Sequence, residues 1–114
     1  MRLDIYKLIN DTMISMKKNV VYIEMLGDDA LLEHAKETLT SFKMASANTL
    51  MLFHNLKEEE QAMLYSKVLR VNITQLEANK KLCDQIKILN KLGAFSEKEA
   101  HDFVKKLEEL DKAG

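Results

Sequence analysis

The chain has 114 residues, of which 46% are hydrophobic and 31% are charged, and this composition disfavours intrinsic disorder. It has no proline and only three glycines, which disfavours the turn-rich sandwiches and barrels and favours a single all-α domain over residues 1–114. The formal net charge of −1 provides no overall field toward nucleic acid or an anionic membrane, so we expect neither as a partner.

The first segment has apolar side chains at alternating spacings of three and four residues, which predicts an amphipathic helix. These side chains are Tyr6, Ile9, Met13, Met16, Val20 and Ile23. The helix should end at Gly27, because glycine enters the left-handed region without a Cβ penalty. A second apolar stripe lies more than a quarter-turn away and comprises Leu3, Ile14, Val21 and Met25.

The second segment repeats this spacing through Leu32, Ala35, Leu39, Phe42, Ser46, Thr49 and Phe53. No charged residue occurs from Met44 to Leu56, which is typical of a helix that is covered on all sides. Met44, Ala47 and Met51 lie opposite the apolar ladder of this helix. We interpret them, with the second stripe of the first helix, as an interaction surface, although ordinary exposed methionine would explain them too.

Two capping boxes bound the later helices. The first pairs Asn55 with Glu58 and opens a third helix over residues 56–92, which would be about 55 Å long. Gly93 ends that helix, and Ser96 with Glu99 opens a short fourth helix. We expect the fourth helix to fold back over the distal end of the third. The β-branched stretch at 71–74 could bend the third helix.

On a helical wheel, the third helix places three amides, Asn72, Gln75 and Asn79, within its apolar arc. The aliphatic members of this arc are Leu64, Val68, Val71, Ala78, Leu82, Ile86 and Leu89. Buried amides need hydrogen-bond partners, so such a layer fixes the register of packing or binds a small polar ligand. A bend at Asn72 would instead turn these residues toward solvent.

The sequence offers no pattern of catalytic or metal-binding residues. His34, His54 and His101 lack the spacings of a metal site, so we expect no metal and no cofactor. The single Cys83 cannot form an internal disulfide and has no histidine near it in sequence. The chain is therefore predicted to be a non-enzymatic protein of a reducing compartment, the cytoplasm.

One segment resembles a known helical hairpin. Over residues 82–110 the matching residues are Leu89, Leu92, Gly93, Ala94, Ser96, Glu97, Glu99, Phe103 and Leu107. This segment resembles the short C-terminal helical hairpin called SHOCT and is similar to helical segments in the cytoplasmic tails of some sodium/proton antiporters. The resemblance implies an association or regulatory role and no catalytic residues.

These observations predict an antiparallel, up-down four-helix bundle with a long third and a short fourth helix. The predicted function is a helical interaction module, a homodimer that acts as an adaptor or regulator. One alternative is a cytoplasmic regulatory domain cut from a membrane transporter such as a sodium/proton antiporter. A second alternative is a bundle that binds a small ligand at its amide layer.

Overall fold

The computed structural model describes residues 3–113, without the side chain of Ala113, and all of its regular structure is helical. The four helices are α1 (Ile5–Leu26), α2 (Asp29–Phe53), α3 (Glu58–Lys91) and α4 (Glu97–Ala113). The all-α prediction, with a long third helix and a short fourth, is confirmed. The β-branched residues at 71–74 do not interrupt α3.

Short polar side chains cap the helices, as their positions in the sequence suggest. Asp4 accepts a hydrogen bond from the Lys7 backbone N–H at 3.0 Å and so caps α1. At α4, the Glu99 N–H donates to Ser96 Oγ at 3.1 Å, and the Ser96 N–H donates to Glu99 Oε1 at 3.2 Å. The capping box predicted at Ser96 is therefore confirmed.

The capping box predicted between Asn55 and Glu58 is wrong by two residues. Asn55 lies in the turn, where its N–H donates to the Leu52 carbonyl at 3.0 Å. The N–H of Lys57 instead donates to Glu60 Oε1 at 3.2 Å, so the Glu60 side chain caps the start of α3. Three successive glutamates follow Lys57, and any of them suits the positive end of the helix dipole, so local preference did not fix the boundary.

Gly27 follows α1 and Gly93 lies in the turn after α3. Both adopt the left-handed conformation that the sequence predicted. Their φ angles are +77° and +75°, respectively. Gly27 donates its N–H to the last carbonyls of α1, at 3.2 Å from both Ile23 and Glu24. A side chain at either glycine would be strained by this backbone conformation rather than by crowding.

Helix α1 lies at the centre of the fold. It packs against α3 most extensively, then α2, then α4, whereas no other pair of helices within residues 3–113 has a comparable contact. The α3 contact includes the buried Ser15, whose carbonyl accepts a hydrogen bond from Asn79, and the α2 contact includes Ile9, which clusters with Phe53. A square bundle would instead place α1 and α3 on a diagonal, so the arrangement is better described as three helices around α1.

The contacts also give the directions of the helices. Ile5, near the start of α1, contacts Phe53 at the end of α2 and Leu64 near the start of α3. Near the end of α1, Tyr22 stacks on Phe103 of α4. Helices α1 and α3 therefore run in parallel, and α2 and α4 run in the opposite direction.

The position of α4 differs from the expectation that it folds over the distal end of α3. It lies along the second half of α1, where Lys106 forms an ion pair with Glu24 at 3.3 Å and Lys18 forms one with Asp111. The tight turn at Gly93 reverses the chain toward α1, where Val21 and Met25 border one groove with Phe103 and so bury apolar surface.

A buried apolar cluster lies toward the end of the molecule where α1 begins. Ile5 and Ile9 are 1% and 2% exposed and form a buried cluster with Phe53. Half-buried side chains from α1, α2 and α3 surround this cluster, namely Met13, Phe42, Leu50, Leu64, Tyr65 and Val68. We call this cluster and its surroundings the three-helix core.

Candidate interaction surface

The exposed side of the second half of α2 is the largest uncharged helix surface that the sequence predicted. Met44 and Met51 are 68% and 75% exposed, Leu52 is 59% exposed, and Ala47 lies between the two methionines in the open. We call Met44, Ala47, Met51 and Leu52 the α2 surface. The expectation that this uncharged helix is covered on all sides is wrong for the described chain.

The α2 surface exists because α2 uses only one face for packing. Ser46 and Phe53 are its buried residues, and they lie on the opposite side of the helix from Met44 and Met51 at 100° per residue. Elsewhere in the protein, an outward helix face has charged residues, as α2 itself has at Glu33 and Lys36. The outer face thus changes from charged to uncharged partway along α2.

The second stripe of α1 is less available than the sequence suggested. Its members, Leu3, Ile14, Val21 and Met25, are all half-buried. Val21 and Met25 border a groove with Phe103 of α4, so α4 already covers this part of the stripe. The stripe and the α2 surface therefore do not form one continuous interface, and sequence periodicity alone could not reveal which helix covers the stripe.

The amide layer lies mainly between α1 and α3. Asn72 and Asn79 are 8% and 7% exposed, whereas Gln75 is half-buried. The Asn79 side-chain amide donates to the carbonyl of Ser15 at 2.8 Å, which links the two parallel helices. Its Oδ1 atom has no partner, and neither has the buried Oδ1 of Asn19 on α1.

The buried side of α3 combines two of these amides with Ile86 of the aliphatic arc. Val71 is 38% exposed, whereas Asn72, Asn79 and Ile86 are buried. An apolar flank of α3 remains in solvent, although two of its members, Leu69 and Leu76, lie beside the aliphatic arc on the helical wheel. This flank comprises Leu69, Ile73 and Leu76, which are 38%, 48% and 53% exposed.

A cleft at the end of the molecule escaped the sequence analysis. It has a volume of about 840 Å³ and lies where α1 begins, α2 ends and α3 begins. The Tyr6 hydroxyl and His54 Nε2 form a hydrogen bond of 2.8 Å on its wall, with Glu58 also at its edge. Sequence patterns could not reveal this pair, because 48 residues separate Tyr6 from His54.

Tyr22 occupies the junction of α1, α3 and α4. Its ring centroid lies 5.3 Å from that of Phe103, in a tilted arrangement. Burial raises the pKa of Tyr22 to about 12, and the hydrogen-bonded Cys83 and the carboxylate of Asp111 act in the same direction. Cys83 itself is half-buried and unpaired with another cysteine.

Residues 3–113 contain no group of three or more histidine, cysteine or acidic side chains that could hold a metal ion. His34 on α2 and His101 on α4 are both exposed. Over the same range, no helix has both the length and the apolar character to cross a membrane.

Comparison of the chain with models of protein families, with curated proteins and with solved structures gives no match. The resemblance of residues 82–110 to the SHOCT hairpin therefore stays a prediction. The geometry of that segment agrees with a helix, a turn at Gly93 and a second helix from Glu97.

Proposed function

We propose that the protein is a non-enzymatic helical interaction module that forms a homodimer through the α2 surface and acts as an adaptor or regulator. The observation that supports this most directly is the exposure of Met44 and Met51 on an uncharged helix face. Leaving such side chains in water forgoes roughly 25 cal/mol for each Å² of apolar area. A second helix that covered both would recover part of this free energy.

The spacing of the α2 surface suits a second copy of the same helix. Met44 and Met51 are two turns apart, and the small residues Ala47 and Asn48 lie midway between them. Two antiparallel copies with their twofold axis at this midpoint would place Met44 of one copy against Met51 of the other. The small residues at the crossing point would let the helix backbones approach closely.

The charge of the surface also favours a second copy over an unlike partner. The stretch from Met44 to Leu56 has no charged side chain, so the face has no pattern of charge that selects a complementary surface. Methionine is flexible and adapts its shape to a neighbour, which allows identical faces to interdigitate. A self-complementary apolar patch is what a twofold interface requires.

The size of the surface predicts a weak, reversible dimer. The uncharged stretch is about 20 Å long and a helix is about 10 Å wide, giving a footprint of roughly 200 Å² on each copy. A standard stable interface buries about 800 Å² on each partner. We therefore expect a dissociation constant of about 10 µM or higher, in the range suited to a regulator that responds to its own concentration.

Sedimentation equilibrium over a concentration series tests the proposal. Met51→Glu places a charge against Met44 of the second copy and should weaken dimerisation by about tenfold or more. Met63→Glu is the matched control, because Met63 is 63% exposed on α3 and lies outside the α2 surface. Wild-type protein that stays monomeric, or equal effects of the two substitutions, would refute the proposed dimer.

The cytoplasm is the proposed location, because a single unpaired cysteine suits a reducing compartment. The alternative of a regulatory domain from a transporter rests on the resemblance of residues 82–110 alone. The alternative of a ligand-binding bundle rests on the two unpartnered oxygens of Asn19 and Asn79, and none of the clefts described above is lined by either residue.

A further inference from the structure

Helix α4 is attached to the rest of the protein by a small and mostly solvent-exposed set of contacts. Over residues 97–112 none of its side chains is fully buried, and its apolar residues Phe103, Leu107 and Leu110 are half-buried. Its packing partner is α1. A helix of 17 residues is marginal in isolation, so α4 depends on this docking for its stability.

The face of α1 under α4 selects its occupant by both shape and charge. The ring of Tyr22 contacts the ring of Phe103. Val21 and Met25 border a groove together with Phe103. On either side of the ring contact, Lys18 pairs with Asp111 and Glu24 pairs with Lys106. An amphipathic helix fits this face when it has an aromatic residue, a cation and an anion in this order.

The connection between α3 and α4 is short, and opening it costs backbone hydrogen bonds at the last turn of α3. It consists of residues 92–96 and turns at Gly93, whose φ is +75°. The turn is held by backbone hydrogen bonds from Gly93 to Asn90 and from Ala94 to Leu89, both 3.0 Å long. Opening the connection loses these two bonds. Helix α4 can then make the same contacts with α1 of a second copy that it makes with its own α1.

We propose that α4 exchanges between two copies of this chain, so that each α4 docks on α1 of the other copy. The occupant of the α1 face is then the helix that the structure already shows to fit it. Exchange of an identical element between copies requires no new interface, which makes it a route to dimers of low energetic cost. This dimer uses α1 and α4 and is separate from the α2 surface.

Reversing the charges on one side of the docking contact tests the exchange. The first variant has Lys18→Glu and Glu24→Lys on α1, and the second has Lys106→Glu and Asp111→Lys on α4. Within either variant alone, like charges meet at both ion-pair positions. When α4 is exchanged between the two variants, opposite charges meet at all four positions, so the mixture should form a heterodimer that neither variant forms alone.

The experiment uses full-length chains that also have Met51→Glu, so that association through the α2 surface is suppressed. One variant has an affinity tag, and the measured quantity is the amount of untagged chain that co-purifies with it at low ionic strength. We expect about tenfold more than in the matched control, a mixture of tagged and untagged copies of the same variant. Molar salt should abolish the difference, because it screens exposed pairs.

A mixture that gives no more heterodimer than the control would overturn the proposal, whether or not α4 remains docked in the variants. This result would leave dimerisation through the α2 surface untouched, since that is measured with wild-type protein and Met51→Glu. Failure of the α2 dimer would likewise leave the exchange result valid.

A second pair of variants examines the turn itself. Gly93→Ala strains the closed turn and should increase the exchanged dimer, whereas Gly27→Ala introduces the same strain between α1 and α2 without loosening α4. Light scattering after gel filtration measures the outcome in the Met51→Glu background. Equal monomer content in both variants would contradict exchange at residues 92–96.

Discussion

The two ends of α1 are held by different kinds of contact. At its start, Ile5 and Ile9 are buried in the three-helix core with Phe53. At its end, α4 is held by the contact of Tyr22 with Phe103, by the half-buried Leu107 and Leu110, and by two ion pairs at the surface. Buried apolar contacts contribute several kcal/mol each, whereas exposed ion pairs contribute at most about 1 kcal/mol. One fold therefore combines a firmly packed end with an end whose helix can detach.

The largest effect is expected in the three-helix core. Ile5→Ala should lower the free energy of unfolding by about 3 kcal/mol, because it opens a cavity in a side chain cluster that is shut off from water. Val104→Ala on α4 is the control, and since Val104 is 50% exposed we expect a change of at most about 0.5 kcal/mol. Urea unfolding measures both, and similar losses would mean that the two ends are equally firm.

The amide layer between these ends should give a smaller effect of opposite sign. Asn79→Leu removes a buried oxygen without a partner and adds apolar contact, so we expect a gain of about 1 kcal/mol in unfolding free energy. Asn79→Ala, which leaves a void as well, should instead destabilise the protein. A loss of stability with leucine would show that the amide contributes more than its single bond to Ser15.

The smallest effect concerns the α4 end at alkaline pH. The pKa of Tyr22 is raised to about 12 in the folded protein, above its ordinary value near 10, so folding favours the neutral phenol. The associated stability is fully present below pH 10 and is lost as pH rises through about 12. Melting temperatures between about pH 9 and pH 12 should fall more steeply for wild type than for Tyr22→Phe. Parallel curves would contradict the assignment.

Several features that depend on neighbouring residues could be predicted from the sequence, although the capping box expected at Asn55 and Glu58 lies two residues further on, at Lys57 and Glu60. The capping box at Ser96 and the turns at Gly27 and Gly93 follow from local backbone chemistry, and the structure has all three. Which helix covers the stripe at Val21 could not be predicted, because that depends on contacts between residues about 80 positions apart.

The candidate site was predictable only in part, for a related reason. The exposed methionines of the α2 surface were identified from their position opposite the apolar ladder. The same reasoning treated the absence of charge as a sign of burial, but α2 packs against α1 alone over most of its length. A helix at the periphery of the fold keeps one face in water whatever its composition.

Amide hydrogen exchange along the chain tests the difference between the two ends most directly. At low protein concentration, amides in the middle of α4 should exchange about a hundredfold faster than those of Leu8–Met16, and high salt should widen this ratio. Equal protection of α4 and of the first half of α1, unchanged by salt, would contradict the account of a detachable fourth helix.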